Sequence, residues 1–341
     1  MKPLKSLLIG LVSFTMLGTS AFTATASDGK KNEDPYGPNR FFGAFGWNNS
    51  NFKINGSADV TVDSSVDALD GNFTRRFDPD LDQSIWNGWL GYEYNRPWAT
   101  YFSVRGYYGG GSGSRNSINY FSHNWFVEGR IGYQFTFGQE DQFSFTPYAG
   151  YGFYESKTRK STESLSHSYT VDGVDVTTSY NESRGQGKIT QQDINVGVCF
   201  NWMFMDKFSV GLTVQAMIDV KTKTQDSQRF QDTVVTETLT NNTWSQVGTT
   251  DLSRSASGDG QVNWFVELPL MYHLDSAWDI SLVPYYSWRK AKVKDYTYDI
   301  PETSVILPDG VTQVTFSGSA NENFNQKMQD LGARLEFGYR F

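Results

Sequence analysis

Arg105, Glu128, Arg130, Asp193, Asp219, Lys221, Glu267, Asp279, Arg289, Arg334 and Glu336 are ionisable residues that share one parity within runs that alternate polar and apolar side chains. Charges of both signs on one face of neighbouring segments can neutralise one another as buried ion pairs, or line an aqueous path and select ions. Imidazole chemistry is limited to His123, His167 and His273. Ser122 and His123 are adjacent, but consecutive residues of a strand point to opposite faces, so they do not make one nucleophile–base dyad. His273 is expected in a turn and His167 in a loop. The sequence contains no HExxH, CxxC, GxSxG or GxxxxGK pattern, so no metal and no cofactor are expected.

The element that must position these charges is clearest at the end of the chain. In residues 329–341, Leu331, Ala333, Leu335, Phe337, Tyr339 and Phe341 alternate with Gly332, Arg334, Glu336, Gly338 and Arg340. A period of two puts one set on each face of a strand, whereas a helix would scatter both. The strand is expected to be apolar outside and charged inside. Its ending resembles the closing strand of outer-membrane β-barrel proteins, and that resemblance makes Tyr339 and Phe341 an assembly signal read by the barrel-assembly machinery.

The amino terminus sets the compartment. Lys2 and Lys5 precede an apolar run over about residues 7–17, and Ala24-Thr25-Ala26 is a small-x-small pattern, so residues 1–26 read as a cleaved signal peptide. No other stretch approaches the ~18 apolar residues of a membrane helix. The single Cys199 forms no internal disulfide. Removing Lys2 and Lys5 takes 29 basic residues to 27 against 37 acidic ones, a net charge of −10, which disfavours nucleic acid as a partner. No linker divides the remainder. Residues 27–40 read as a periplasmic lead-in and 41–341 as one barrel, in the outer membrane of a Gram-negative-type bacterium.

In chain order, residues 41–47 and 52–62 are both strand-like but out of phase, which predicts one long strand with a bulge. Residues 64–83 read as a loop, 84–94 as a strand and 95–98 as a turn. The strand over 99–108 is expected to break at the glycine-rich run 109–114. Strands follow over 121–137 and 143–155, then a long loop over 156–188 with a hairpin at Asp172-Gly173. Further strands are expected near 193–202, 208–221, 261–272 and 278–290, with a long polar loop to residue 260 and another to about residue 326 containing Pro308-Asp309-Gly310. The fold class is all-β, a transmembrane antiparallel up-and-down β-barrel. Ten strands are favoured, with four short turns on one side and five long loops on the other; twelve is the alternative, if residues 41–47 pair separately or 72–78 form a strand. Trp86, Tyr94, Trp98, Trp202, Tyr272 and Trp278 fall near turns and read as membrane-interface aromatics.

Ten strands, tall loops and the ending from Asn323-Phe324 to Tyr339-Arg340-Phe341 resemble the omptins, outer-membrane proteases. That resemblance implies an Asp-x-Asp pair after the third strand and an Asp-x-His pair above the seventh. Residues 109–119 contain no acid, however, and residues 223–229 contain no histidine, so the protease set does not carry over. Three functions follow as expectations. The first is a non-enzymatic surface scaffold whose loops contact lipopolysaccharide, an extracellular protein or another surface ligand, with outer-membrane lipid as its solvent. The second is a narrow or gated channel, and the third a diverged omptin-like or lipid-modifying enzyme using loop acids such as Asp226, Asp232 or Glu237. The first is preferred, because barrels reach aqueous width only at ~16 strands.

Overall fold

The computed structural model describes residues 37–65, 71–77, 80–115, 118–138, 142–162, 165–171, 174–237, 243–258, 261–306 and 313–341. The signal peptide, most of the lead-in, Asp172-Gly173 and Pro308-Asp309-Gly310 lie outside them. All regular structure among the described residues is β: β1 (Asn39–Ser64), β2 (Gly71–Phe77), β3 (Asp80–Tyr94), β4 (Ala99–Arg115), β5 (Ile118–Phe137), β6 (Phe143–Thr162), β7 (Leu165–Val171), β8 (Val174–Met205), β9 (Phe208–Glu237), β10 (Thr243–Gly258), β11 (Val262–Glu267), β12 (Leu270–His273), β13 (Trp278–Ile306) and β14 (Gln313–Arg340).

These strands form one antiparallel sheet that closes on itself through β1 and β14. β2 extends the line of β3 beside β1, β7 extends β6 beside β8, and β10, β11 and β12 lie end to end beside β9. Among the described residues, fourteen strands therefore make ten staves. The region expected at 72–78 does contain a strand, β2, but it continues a stave and adds none, so the described staves number ten. Closure satisfies both edges of every stave across the membrane, which hydrocarbon requires because it offers the backbone no water.

The structure departs from the sequence expectations along the strands themselves. First, β1 has no bulge. Its register against β14 runs unbroken from Arg40↔Arg340 to Ser64↔Phe316. The hydrophobic pattern changes phase because the environment outside the sheet changes. In the lower half, Phe41, Phe45 and Trp47 are exposed outward; above Asn51, Ala58 is buried, and the intermediate Phe52 and Ile54 share its inward parity. β14 behaves alike: Leu331, Leu335, Phe337 and Tyr339 are exposed below, whereas Ala320, Phe324 and Met328 are buried inside above. A strand with lipid outside is apolar outward; the same strand in water is apolar inward.

Second, the expected polar loops are largely sheet. Residues 64–83 contain β2 and the start of β3, and 156–188, 222–260 and 290–326 are occupied mainly by extensions of β6 to β10, β13 and β14. Asp226, Asp232 and Glu237 lie in β9, and His167 lies in β7, rather than in loops. Polar alternation with Thr and Val suits a two-sided strand in water as well as it suits a loop. Third, the glycine-rich run does not end β4. A Cβ on Gly111 would sit 2.8 Å from the Ile85 Cα, so glycine there permits close approach of β3 and leaves the strand intact.

The four turns at the other end are short, as expected. Trp98 adopts a left-handed backbone (φ 52°) in the turn between β3 and β4, and Gly138 (φ 94°) does so after β5. The lead-in is shorter than expected, since Asn39 and Arg40 already belong to β1.

Candidate functional site

The period of two that turns Phe337 and Leu335 outward turns Arg334 and Glu336 inward, and the same holds on every stave. Arg105, Glu128, Arg130, Asp193, Asp219, Glu267, Asp279, Arg289, Arg334 and Glu336 are all buried in the barrel interior. Lys221 is the exception. The β8–β9 register steps from Asp193↔Asp219 to Gln192↔Lys221, so Val220 is the extra residue of a bulge and Lys221 is exposed.

The buried charges form a connected chain. Arg130 pairs with Glu128 at 2.5 Å, and Glu128 pairs with Arg105 at 2.5 Å. Arg105 pairs with Glu267 and Glu267 with Arg334, each at 2.5 Å. Arg334 continues to Glu336 at 2.7 Å, Glu336 to Arg40 at 3.1 Å, Arg40 to Asp279 at 2.7 Å and Asp279 to Arg340 at 3.0 Å. Glu93, 3.4 Å from Arg40, brings a fifth carboxylate to five guanidiniums. A second group joins Arg289 to Asp193 at 2.7 Å, with Asp219 accepting from Thr222 beside it. The sequence reading missed Arg40, which was assigned to the lead-in. The signal that would have found it is its parity with Phe42 and its separation from Phe41.

Counting staves from β1, β4 is third and the β10–β12 stave is eighth of ten, so Arg105 and Glu267 reach each other from opposite walls. β6 and β14, fifth and tenth, are likewise opposed, and Tyr154 Oη donates to Met328 Sδ at 3.1 Å. Between these crossings lies an aromatic layer of Trp89, Phe126, Tyr154, Phe265 and Tyr285 with Met217 and Met328. The guanidiniums of Arg334 and Arg289 lie over Trp89 and Tyr154, at 4.3 and 4.4 Å from the ring centroids. Neutral groups complete the acids: Asn195 and Gln215 donate to Glu128 at 2.9 and 3.1 Å. A cavity of about 20 Å³ remains beside Asn48, Arg289 and Asp330, room for about one water.

Other candidate groups are dispersed. Ser122 is buried and bonds Thr158 at 3.0 Å, while His123 is exposed on the outer face and stacks on Tyr108. His273 is buried at the end of β12, opposite Asp279, and is not in a free turn. Thr213 donates to the Cys199 thiol at 3.4 Å. Among the described residues, no group of three metal-ligating side chains occurs.

The outer face carries two aromatic bands. Trp98, Trp202, Tyr272 and Trp278 are exposed near the short turns, with Tyr94 half-buried among them. Trp86 belongs to the opposite band: it pairs with Trp47, and Trp264 pairs with Trp288 at the same side. Tyr339 and Phe341 lie in the turn-side band, with the Phe341 ring 6.0 Å from those of Phe41 and Tyr339.

No protein-family model and no curated protein matches this sequence. Solved structures that resemble it are barrels. The outer membrane protease OmpT from Escherichia coli is 9% identical over 89% of this chain and 97% of its own, with a TM-score of 0.37. A FadL homologue of Pseudomonas aeruginosa is 9% identical over 89% and 90%, with a TM-score of 0.28. The translocator domain of the autotransporter NalP from Neisseria meningitidis is 11% identical over 87% and 89%, with a TM-score of 0.27. Identities and TM-scores this low carry no family and no activity. The chain's own closed register, apolar outer band and charged interior make it a ten-stave β-barrel of the outer-membrane type.

Proposed function

We propose that this protein is a non-conducting, non-enzymatic scaffold of the outer membrane of a Gram-negative-type bacterium, and that its extracellular sheet is the surface that binds partners. The observation that carries this reading is the direct contact of opposite walls, Arg105 with Glu267 and Tyr154 with Met328, at two positions within the lumen. A path for ions would have to break those contacts, and Glu128, Glu267, Glu336, Asp279 and Asp193 are already matched to guanidiniums. The material that remains for function is the extension of the staves beyond the outer aromatic band, where sequence can vary without disturbing the plug. Tyr339 and Phe341 serve as the signal for barrel assembly in this reading.

The test is single-channel recording of the refolded protein in planar bilayers, together with the Arg334→Glu and Glu128→Lys proteins. Wild type is expected to be silent at all holding potentials, with conductance arising only in variants that disrupt the plug. Steady conductance of folded wild type, altered in selectivity by either reversal, would make the interior a channel instead.

A further inference from the structure

Just above the outer aromatic band, three lysines stand side by side. The register pairs Lys53 of β1 with Lys327 of β14, and Lys327 with Lys290 of β13. Odd positions of β1 and β14 and even positions of β13 face outward here, so all three are on the outer surface of adjacent staves. Directly opposed residues hold their Cβ atoms ~5 Å apart, and like charges in that relation repel. On the β3 side, Asp80 lies 2.6 Å from Lys53, and Asp82, exposed on the same face, accepts from Asn51 Nδ2 at 2.7 Å. Around Lys290 and Lys327 the outward positions are Trp288 and Lys292 on β13 and Asn321, Asn323, Asn325 and Gln329 on β14, none of them acidic. The contrast is the far wall, where Lys157 opposes Lys188 but Glu155 lies 2.9 Å from the Lys188 ammonium. Lys290 also rests its ammonium 4.3 Å over the Trp288 ring, which holds the charge at the level where the apolar band ends.

Resting on the membrane placement above, we propose that the Lys53–Lys327–Lys290 row, with Lys292 above it, is a binding site for the phosphate groups of an anionic lipid in the outer leaflet. The acyl chains of such a lipid lie along Tyr286, Leu331 and Leu335, which are exposed directly below. Its headgroup phosphates then meet the ammonium groups at the level of Trp288. A free anion in solution would gain nothing from that apolar strip, and so the lipid is the occupant.

The experiment uses the full-length barrel in phosphatidylcholine nanodiscs doped with lipid A or with its dephosphorylated form, and counts retained lipid by native mass spectrometry. Wild type is expected to retain lipid A preferentially. Lys327→Gln should reduce that preference about five-fold, and the Lys53→Gln/Lys290→Gln/Lys327→Gln triple should abolish it, while Lys327→Arg and Lys207→Gln, at the opposite end, retain it. Equal retention of both lipids by inserted wild type overturns the site and needs no variant to fold. So does a triple variant, folded by its heat-modifiable migration, that retains lipid A as wild type does, and so does loss of bound lipid A to millimolar inorganic phosphate. Failure of wild type to insert into nanodiscs at all would overturn the membrane placement instead.

Discussion

Glu267 is the residue on which the interior turns, because its two oxygens accept from Arg105 and Arg334, each at 2.5 Å. Neutralising it removes one of the two carboxylates from each guanidinium, leaving Arg105 with Glu128 and Arg334 with Glu336 among aromatic rings, where breaking a buried pair costs about 3–5 kcal/mol. Glu267→Gln is accordingly expected to lower stability by about that amount, read as the urea midpoint of the folded band in lipid. Glu93→Gln touches the chain only at its half-exposed end, 3.4 Å from Arg40, and is expected to shift the midpoint by less than about 1 kcal/mol. If both variants unfold alike, the chain is not a connected unit. The in-register neighbours Arg105 and Glu128 were visible in the alternation as two charges of one parity, but the pairing of Arg105 with Glu267 was not, since Glu267 arrives from the opposite wall.

At the scale of the strand, the informative feature is the inversion of polarity along β1 and β14 without a break in register. Inversion at constant register predicts opposite responses to one kind of change. Leu335→Arg, on the exposed face within the lower half, is expected to cost about 2–4 kcal/mol in a bilayer, whereas Asn325→Arg, five outward positions higher on the same face, should be neutral within about 0.5 kcal/mol. Denaturant titration in phospholipid vesicles measures both, and equal costs would mean that the apolar band does not end near Gln329. β4 supplies a second test. Gly111→Val places a branched side chain against the Ile85 backbone and should reduce the yield of folded barrel, whereas Ser112→Val, which faces away from that contact, should not. A glycine run in a sequence signals either a turn or a close approach, and only the neighbouring strand says which.

At the scale of the whole molecule, the barrel is two structures on one set of staves: a charged, plugged cylinder in the membrane and an extension above it that buries apolar side chains together with polar ones such as Glu322 and Gln326. Ala291, Val293, Ala320 and Phe324 fill the upper interior, while Arg40, Arg105, Glu128 and Arg334 fill the lower. The extension is therefore expected to be separable. Replacing residues 226–254, the paired ends of β9 and β10, by a short Gly-Asn turn should leave heat-modifiable migration and bilayer insertion unchanged and remove partner binding. Loss of insertion would show that the upper sheet is needed to close the lower one.

Strand identity, inward and outward faces, the four short turns and the ten-fold count were legible in the residues themselves, because side-chain alternation is a local property of two neighbouring peptides. Local pattern also explains the errors: a reversal of phase looks the same for a bulge as for a change of solvent, and polar alternation looks the same for a loop as for a strand in water. Only closure decided the rest. Bringing β14 back to β1 sets the third stave against the eighth and the fifth against the tenth, and that geometry selects Glu267 for Arg105 and Met328 for Tyr154. It also aligns Lys53, Lys327 and Lys290, residues remote in the chain whose adjacency depends on register across three strands and so has no trace in the sequence.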